Sequence, residues 1–382
     1  MMRKYLILVV LLFFFSSLLG QEKDWAVNGY LKDMQLFYFA EPTHSWTNQN
    51  LIHNRLNFKW YPSDSFVFVA EMRNRFFTGK LVGDFPNYGQ FIDQDNGFWD
   101  LSTLVVDGKG AVLHAMIDRI YLDYLSGKWQ FRFGRQRINW GMNLVWNPND
   151  VFNTYAFLNF DYEERPGTDA LKVQYYTSET SSLELVWQLG KHANEMAVAS
   201  RFHFNQWEYD FQILGGWVED DMVLGTGWSG DIYGGGFRGE MTWLIPRNNR
   251  TKEAVIASIS GDYTFLNSLM LHGGFLYNSA GTKNPIYQMG LFEREETSPR
   301  GLSRGKYACF SQISYPVTPL LTTSLSAIVN PSDGSFVLNP SLAYSFMTNW
   351  DLLLVGQHFF GDEFTEYGDI GQAVFLRLKW SF

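Results

Sequence analysis

From Trp25 onward, apolar and polar residues alternate with a period of two in runs of about ten residues. That is the period of a strand with one apolar face. Eighteen such runs are readable: 25–39, 50–61, 65–77, 115–125, 129–137, 169–177, 182–190, 196–205, 207–218, 222–230, 233–245, 253–265, 269–279, 306–315, 320–329, 335–346, 350–360 and 370–382. Short turns at 62–64, 126–127, 267–268, 316–319 and 348–349 fall on one side of this succession. Longer polar loops at 78–114, 138–168, 246–252, 280–305 and 361–369 fall on the other. Apolar residues facing out, polar residues facing in, short turns at one end and long loops at the other predict an all-β fold. It is a transmembrane antiparallel up-and-down β-barrel of about eighteen strands. An even count brings both ends of the barrel to the same side. Gly-rich sequence at 218–236 blurs the pattern and leaves sixteen strands open.

The same period assigns faces. In 50–61, His53, Arg55, Asn57 and Lys59 share one face, opposite Ile52, Leu56, Phe58 and Trp60. In 65–77, Glu71, Arg73 and Arg75 oppose Phe66, Phe68, Ala70 and Met72. Arg119, Tyr121 and Asp123 line the polar side of 115–125; Gln130 and Arg132 do so in 129–137, and Lys172 and Gln174 in 169–177. The last run sets Val374, Leu376, Leu378, Trp380 and Phe382 on one face and Arg377 and Lys379 on the other. In a closed barrel the last strand lies beside the first, which brings Arg377 and Lys379 near Arg55 and Lys59. Two readings of this basic wall stay open. It attracts anions in a low-dielectric surround, or its cations pair with Glu71, Asp118, Asp123, Glu184, Glu208 and Asp210 in a mixed, wet lumen.

One stretch breaks the alternation. Between a strand ending near Gln136 and one beginning near Asp169 lie some thirty residues rich in Trp, Asn, Arg, Asp and Pro with neither helical nor strand period. A connection that long without structure of its own is uncommon unless it has a task. The segment 138–168 is expected to fold inward and constrict the pore, or to plug it. Arg135, Arg137, Trp140, Asn147, Asp150 and Arg165 are the candidate contacts with solute; whether Arg135 and Arg137 point inward stays open, because the face assignment shifts by one where the strand ends. Arg offers planar multidentate donors to carboxylate or phosphate. Asn149 or Asp150 is placed to cap a short helix over 151–155.

The residues Gly134, Arg135, Gln136, Trp140, Gly141, Asn147, Pro148, Asp150, Arg165, Pro166 and Gly167 resemble a pattern in porin-like outer-membrane barrels related to the alginate-export families. There, a strand ending in Gly-Arg-Gln runs into a Trp-Gly turn, an Asn-Pro-x-Asp segment and an Arg-Pro-Gly entry to the next strand. The resemblance covers about forty residues. It implies passive transport across the bacterial outer membrane and carries no substrate with it.

Composition changes this picture little. Aromatic residues make up 18% of the chain and mean hydropathy is −0.17, which implies no helical membrane protein. Residues 1–20 carry two basic residues, an apolar run and small residues near the end, as a signal peptide does. Residues 21–382 then form the barrel, and 21–24 are too few for a plug domain ahead of it. Without Arg3 and Lys4 the chain has 28 basic and 39 acidic residues, a balance that argues against nucleic acid as a partner. The single Cys309 excludes an internal disulfide. No phosphate-cradling loop, metal cluster or cofactor motif is readable. The seven His are scattered outside any hydrolase motif, so no enzyme is expected.

The expected partners are outer-membrane lipid and lipopolysaccharide, a small solute, and the outer-membrane assembly machinery acting on Phe382; the oligomeric state stays open. The function read from the sequence is passive diffusion of small hydrophilic, including anionic, solutes. The alternative is a plugged barrel that presents 78–114 and 280–305 to polysaccharide. Within the first of these, 98–116 reads as a short helix against the rim or cap of the mouth.

Overall fold

The computed structural model describes residues 24–41, 45–95, 97–154, 167–192, 195–247, 251–282 and 298–382. The expected leader at 1–20 lies outside them. The strands are β1 (Trp25–Glu41), β2 (Ser45–Ser63), β3 (Phe66–Thr78), β4 (Ser102–Gly108), β5 (Ala111–Ser126), β6 (Trp129–Gln136), β7 (Thr168–Tyr176), β8 (Ser182–Gln188) and β9 (Ala197–Gln206). They continue as β10 (Tyr209–Val218), β11 (Asp221–Ile232), β12 (Gly235–Pro246), β13 (Ala254–Thr264), β14 (Met270–Asn278), β15 (Tyr307–Thr318), β16 (Leu321–Val329), β17 (Phe336–Met347), β18 (Trp350–Phe360) and β19 (Gln372–Ser381).

Every strand pairs antiparallel with its neighbour, and β19 returns to β1 from Tyr30 opposite Ser381 to Phe39 opposite Gln372. β3 pairs directly with β5, so eighteen strands close the wall and β4 stands outside the ring. Closure leaves no strand edge exposed to lipid, where an unpaired backbone group costs several kcal/mol. All eighteen expected strands are present, and the count of sixteen is excluded. The region 218–236 is two hairpins whose tight turns hold Glu219 at φ 53°, Tyr233 at φ 53° and Gly234 at φ 81°. Positive φ at two-residue turns matches the twist of the flanking strands.

Two local expectations are corrected. The stretch 98–116 is a β-hairpin rather than a helix: β4 pairs with Ala111–Met116 of β5 through a turn with Gly110 at φ 83°. Its Val105, Val106 and Val112 suit an extended chain. Helix forms earlier in the same connection, as two short pieces, Lys80–Asp84 and Tyr88–Ile92. The helix expected at 151–155 is irregular over 151–154, and 155 lies outside the described residues. Its would-be caps are engaged elsewhere. The Asn149 amide donates to Thr226 O (2.9 Å) and accepts from Thr242 Oγ1 (2.7 Å), and Asp150 Oδ1 accepts from Trp140 N (3.3 Å).

The outer face carries the apolar set of each strand, such as Val27, Leu31, Ile52, Leu185, Ile213, Leu325 and Leu376. Aromatic rings gather toward the turn end, among them Trp25, Trp60, Phe66, Trp129, Tyr263, Tyr315 and Trp380, and others such as Trp187, Trp217 and Trp243 lie toward the loop end. An apolar band between two aromatic girdles is the outer surface of a barrel that spans a membrane. Across β1–β3 the band is interrupted by Asp33, Gln35, Asn50, Asn54 and Asn74, which hydrogen-bond among themselves and so limit the cost of facing lipid. A concavity of about 700 Å³ also opens on the outside, where Gly261, Gly273, Ser311 and Ala327 stand in cross-strand register.

Inside, two apolar clusters show which connections fold inward. Ile138, Trp140, Val145, Trp146 and Val151 pack on Val186, Leu214, Val223, Leu244, Ile256, Leu276 and Phe310 of the wall. Val82, Tyr88 and Phe85 from the short helices pack on Met34, Leu51, Phe77 and Val112 at the loop end.

Candidate functional site

The inner faces of β19, β1, β2 and β3 place basic side chains in direct cross-strand register. Lys32 stands opposite Lys379 on one side and His53 on the other; His53 is opposite Arg75, and Arg55 opposite Arg73. Tyr30 lies among them, with the Lys379 ammonium 4.7 Å and the Lys32 ammonium 5.5 Å from its ring centre. The series continues through Arg119 of β5, Arg132 of β6, Lys172 of β7 and Arg201 of β9. Each cation comes from the polar phase of its own strand, and the short hydrogen-bonded spacing between strands assembles them into one surface.

Carboxylates are interleaved. Arg55 pairs with Glu71 at 2.5 Å and with Asp118, and Arg73 reaches Asp118 at 3.1 Å. Arg119 also reaches Glu71, at 3.2 Å. Asp118 owes its position to a bulge. Glu71 faces Arg119 and Met72 faces Ile117, so the extra residue between them is turned in toward Arg55 and Arg73. Arg132 pairs with Asp123 and lies 4.7 Å over the Tyr121 ring. Lys172 and Arg201 both approach Glu184, at 3.5 and 3.6 Å. Arg75 meets His114 at 3.1 Å, and His114 meets Asp93 at 3.2 Å, tying the basic wall to the connection that carries the short helices.

Facing this wall is the in-folded segment 138–154. Its backbone is held by side chains of the far wall: Glu240 accepts from the N–H groups of Met142, Asn143 (2.8 Å) and Asn149 (2.9 Å). Ser258 Oγ donates to Trp146 O (2.9 Å), and Gln212 Nε2 donates to Trp140 O (2.7 Å). The Trp140 indole N–H donates to Glu184, and the Arg201 guanidinium lies 5.7 Å from its ring centre. Beyond the segment, the inner faces of β13 to β17 present Ser260, Gln312, Ser324, Ser326 and Ser341 in place of a run of cations. A solute in the lumen thus meets a row of basic residues on one side and mostly hydroxyls and amides on the other, where Arg238 pairs with Asp262.

The candidate residues divide as follows. Arg55, Lys59, Arg73, Arg75, Arg132, Arg377 and Lys379 share the inner face of their strands. Trp140, Asn147 and Asp150 are buried where the segment meets the wall. Arg137 is half-buried at the start of the segment, and Arg165 lies outside the described residues.

Arg135 is corrected. It pairs in register with Ile120 and Asp169, on the face of Phe133 and Leu171 rather than the face of Arg132. There Asp95 and residues 97–99 of the preceding connection lie over it: Arg135 donates to Asp169 at 2.8 Å, to Asp95 at 2.6 Å and to the carbonyl of Trp99 at 2.5 Å. Trp99 packs edge-on against Phe133, and a Cβ at Gly97 would fall 1.9 Å from the Arg135 guanidinium. Gly134, at φ 123°, is required beside it, since a Cβ would meet Ile120 O at 2.2 Å. In Asp95, burial raises the carboxyl pKa, but the hydrogen bonds from Arg135 and from the Leu101 and Gly97 N–H groups outweigh it and hold it below the usual value.

Three residues of this constellation were not singled out from the sequence. Lys32 and Tyr30 follow from applying the period of two to β1, a readable signal. Glu240 has no local signal, because its partners lie more than ninety residues away.

No protein-family model matches the chain, and no curated protein matches it. Solved structures do. OccAB4 of Acinetobacter baumannii is similar over 95% of this chain and 99% of its own, with TM-score 0.62 at 10% identity. OccK8 (OprE) of Pseudomonas aeruginosa covers 94% and 98%, with TM-score 0.60 at 11% identity. OccK11 (OpdR) of the same organism covers 96% and 99%, with TM-score 0.58 at 10% identity. At such identities the likeness is one of architecture: along nearly its whole described length this chain is built as the Occ barrels are.

Proposed function

We propose that the protein is a channel of the bacterial outer membrane through which small hydrophilic solutes, anions foremost, diffuse passively. The observation that carries this reading is the cross-strand row of basic residues on the inner face of β19–β1–β2–β3 opposite an in-folded segment and a wall without such a row. In a narrow passage with low-dielectric walls such a row raises the local concentration of anions. Full-length likeness to the Occ barrels supports a porin-like channel. The pattern at 134–167 further suggests kinship with the alginate-export-related porins, without indicating a solute.

A second reading has its own support. The apolar contacts of Trp140, Val145, Trp146 and Val151, and those of Val82, Phe85 and Tyr88, fill the barrel from two sides. A barrel closed in this way would serve surface attachment to polysaccharide. Planar-bilayer recording of refolded protein under a KCl gradient separates the two. Steady unitary conductance with a reversal potential favouring chloride supports the channel. A well-folded, heat-modifiable barrel without conductance supports the plugged one.

A further inference from the structure

The in-folded segment reaches the far wall through many contacts, but among the described residues only one of its wall partners is a carboxylate that binds backbone alone. Glu240, on the inner face of β12, is 1% exposed. One of its oxygens accepts from the N–H groups of Met142 and Asn143, and the other from the N–H of Asn149. The three donors come from the two ends of the bend 142–149. The bend also closes on itself, since Asn143 N donates to Asn147 Oδ1 at 2.8 Å and Asp150 N to Asn147 O at 3.1 Å. Around the carboxylate, Thr242 of the same strand donates to Asn149 Oδ1, and Asn143 engages Ser258 and Ser260 of the next strand.

A buried carboxylate is costly unless hydrogen bonds replace its hydration, and three N–H donors do so here. The dependence is mutual. Backbone N–H groups of an irregular segment inside a barrel have no ladder to join, and burying one unpaired is costly. One carboxylate therefore fixes both ends of the bend at once, which hydroxyls bonding singly do not.

We propose that Glu240 is the positioning residue that sets how far the segment 138–154 projects into the lumen, and so sets the aperture. The inference rests on the channel reading for its consequence and on the hydrogen bonds alone for its geometry. Hydrogen exchange followed by mass spectrometry on the folded full-length chain tests the geometry without conductance. In Glu240→Ala the amides of 142–149 should exchange at least about tenfold faster than in the wild type, the loss of roughly one hydrogen bond or more. The wall strands should keep their wild-type rates. Glu240→Gln, which keeps the shape and one acceptor oxygen, should lie between the two and remains informative where the alanine variant fails to fold. Thr242→Val removes one side-chain contact and should change exchange far less.

In bilayers, the same order should appear as added open-channel noise and sub-conductance steps. Unchanged exchange at 142–149 in folded Glu240→Gln and Glu240→Ala overturns the proposal, as does an equal effect of Thr242→Val. A wild-type chain that does not conduct removes the channel reading but leaves the exchange result to decide the role of Glu240.

Discussion

The wall made by β19, β1, β2, β3 and β5 and the wall made by β10 to β13 use their inward polar groups in opposite ways. On the first, Arg55, Arg73 and Arg119 bond to Glu71 and Asp118 of the same wall, and the surface satisfies itself. On the second, Gln212, Glu240, Thr242 and Ser258 bond to residues of another connection, and the surface holds a guest. A charged wall that pairs within itself is left open to solute below the short helices that pack on its loop end. A wall that gives its hydrogen bonds to an in-folded segment is covered by it. Asymmetry of the pore thus follows from where each wall spends its polar side chains.

Breaking the self-satisfied wall should cost most. Arg55→Ala leaves Glu71 and Asp118 buried beside one fewer cation, and removing one partner of a buried pair costs about 3–5 kcal/mol. Denaturant unfolding in detergent should show that loss, and a change under about 1 kcal/mol would mean the network is wet and weakly coupled.

Next comes the covered wall. Trp140 is fully buried among Phe152, Arg201 and Glu184, and Trp140→Ala should destabilise by roughly 3–5 kcal/mol. Unitary conductance should rise as the segment loosens; a fall would indicate collapse of the segment into the pore.

The charge itself should matter to selectivity more than to stability. The pair Arg73→Ala with Lys379→Ala should move the reversal potential in a KCl gradient toward zero. If anion preference is unaltered, the basic row is structural and the selectivity lies elsewhere.

Arg135 sharpens the contrast, since it stands three residues from Arg132 but on the other face. Arg135→Ala should leave the reversal potential where it is and speed proteolysis within 93–101, the connection held by Asp95 and Asp169. A shift in selectivity would return Arg135 to the lumen.

The smallest expected effect is the pH response of that latch. The pKa of Asp95 is lowered in the folded chain, so its contribution is fully present above the unfolded value near 4 and is lost as pH falls through the lower folded value. A fluorophore on Phe98→Cys, with Cys309→Ser, should report an ordered connection from neutral pH to about pH 4 and release only in stronger acid.

What the amino-acid sequence determined by itself is the barrel: a period of two needs only neighbouring residues, so eighteen strands and the inner faces of β2, β3 and β19 were legible from Arg55, Arg73, Arg75, Arg377 and Lys379. Within its own strand Lys32 was equally legible. The tertiary structure decided the rest, because the deciding contacts join residues far apart in the chain. One extra residue at Asp118 becomes a bulge only against β3. Arg135 turns from lumen residue to latch only because Asp95 and Trp99 lie over it. Asn149 and Asp150 give up a helix cap to bond with Thr226, Thr242 and Trp140, and Glu240 acquires its three donors only when 138–154 folds in. Local periodicity fixes which way a strand residue points. The partner of an irregular segment is fixed by where closure of the barrel puts unsatisfied donors and acceptors.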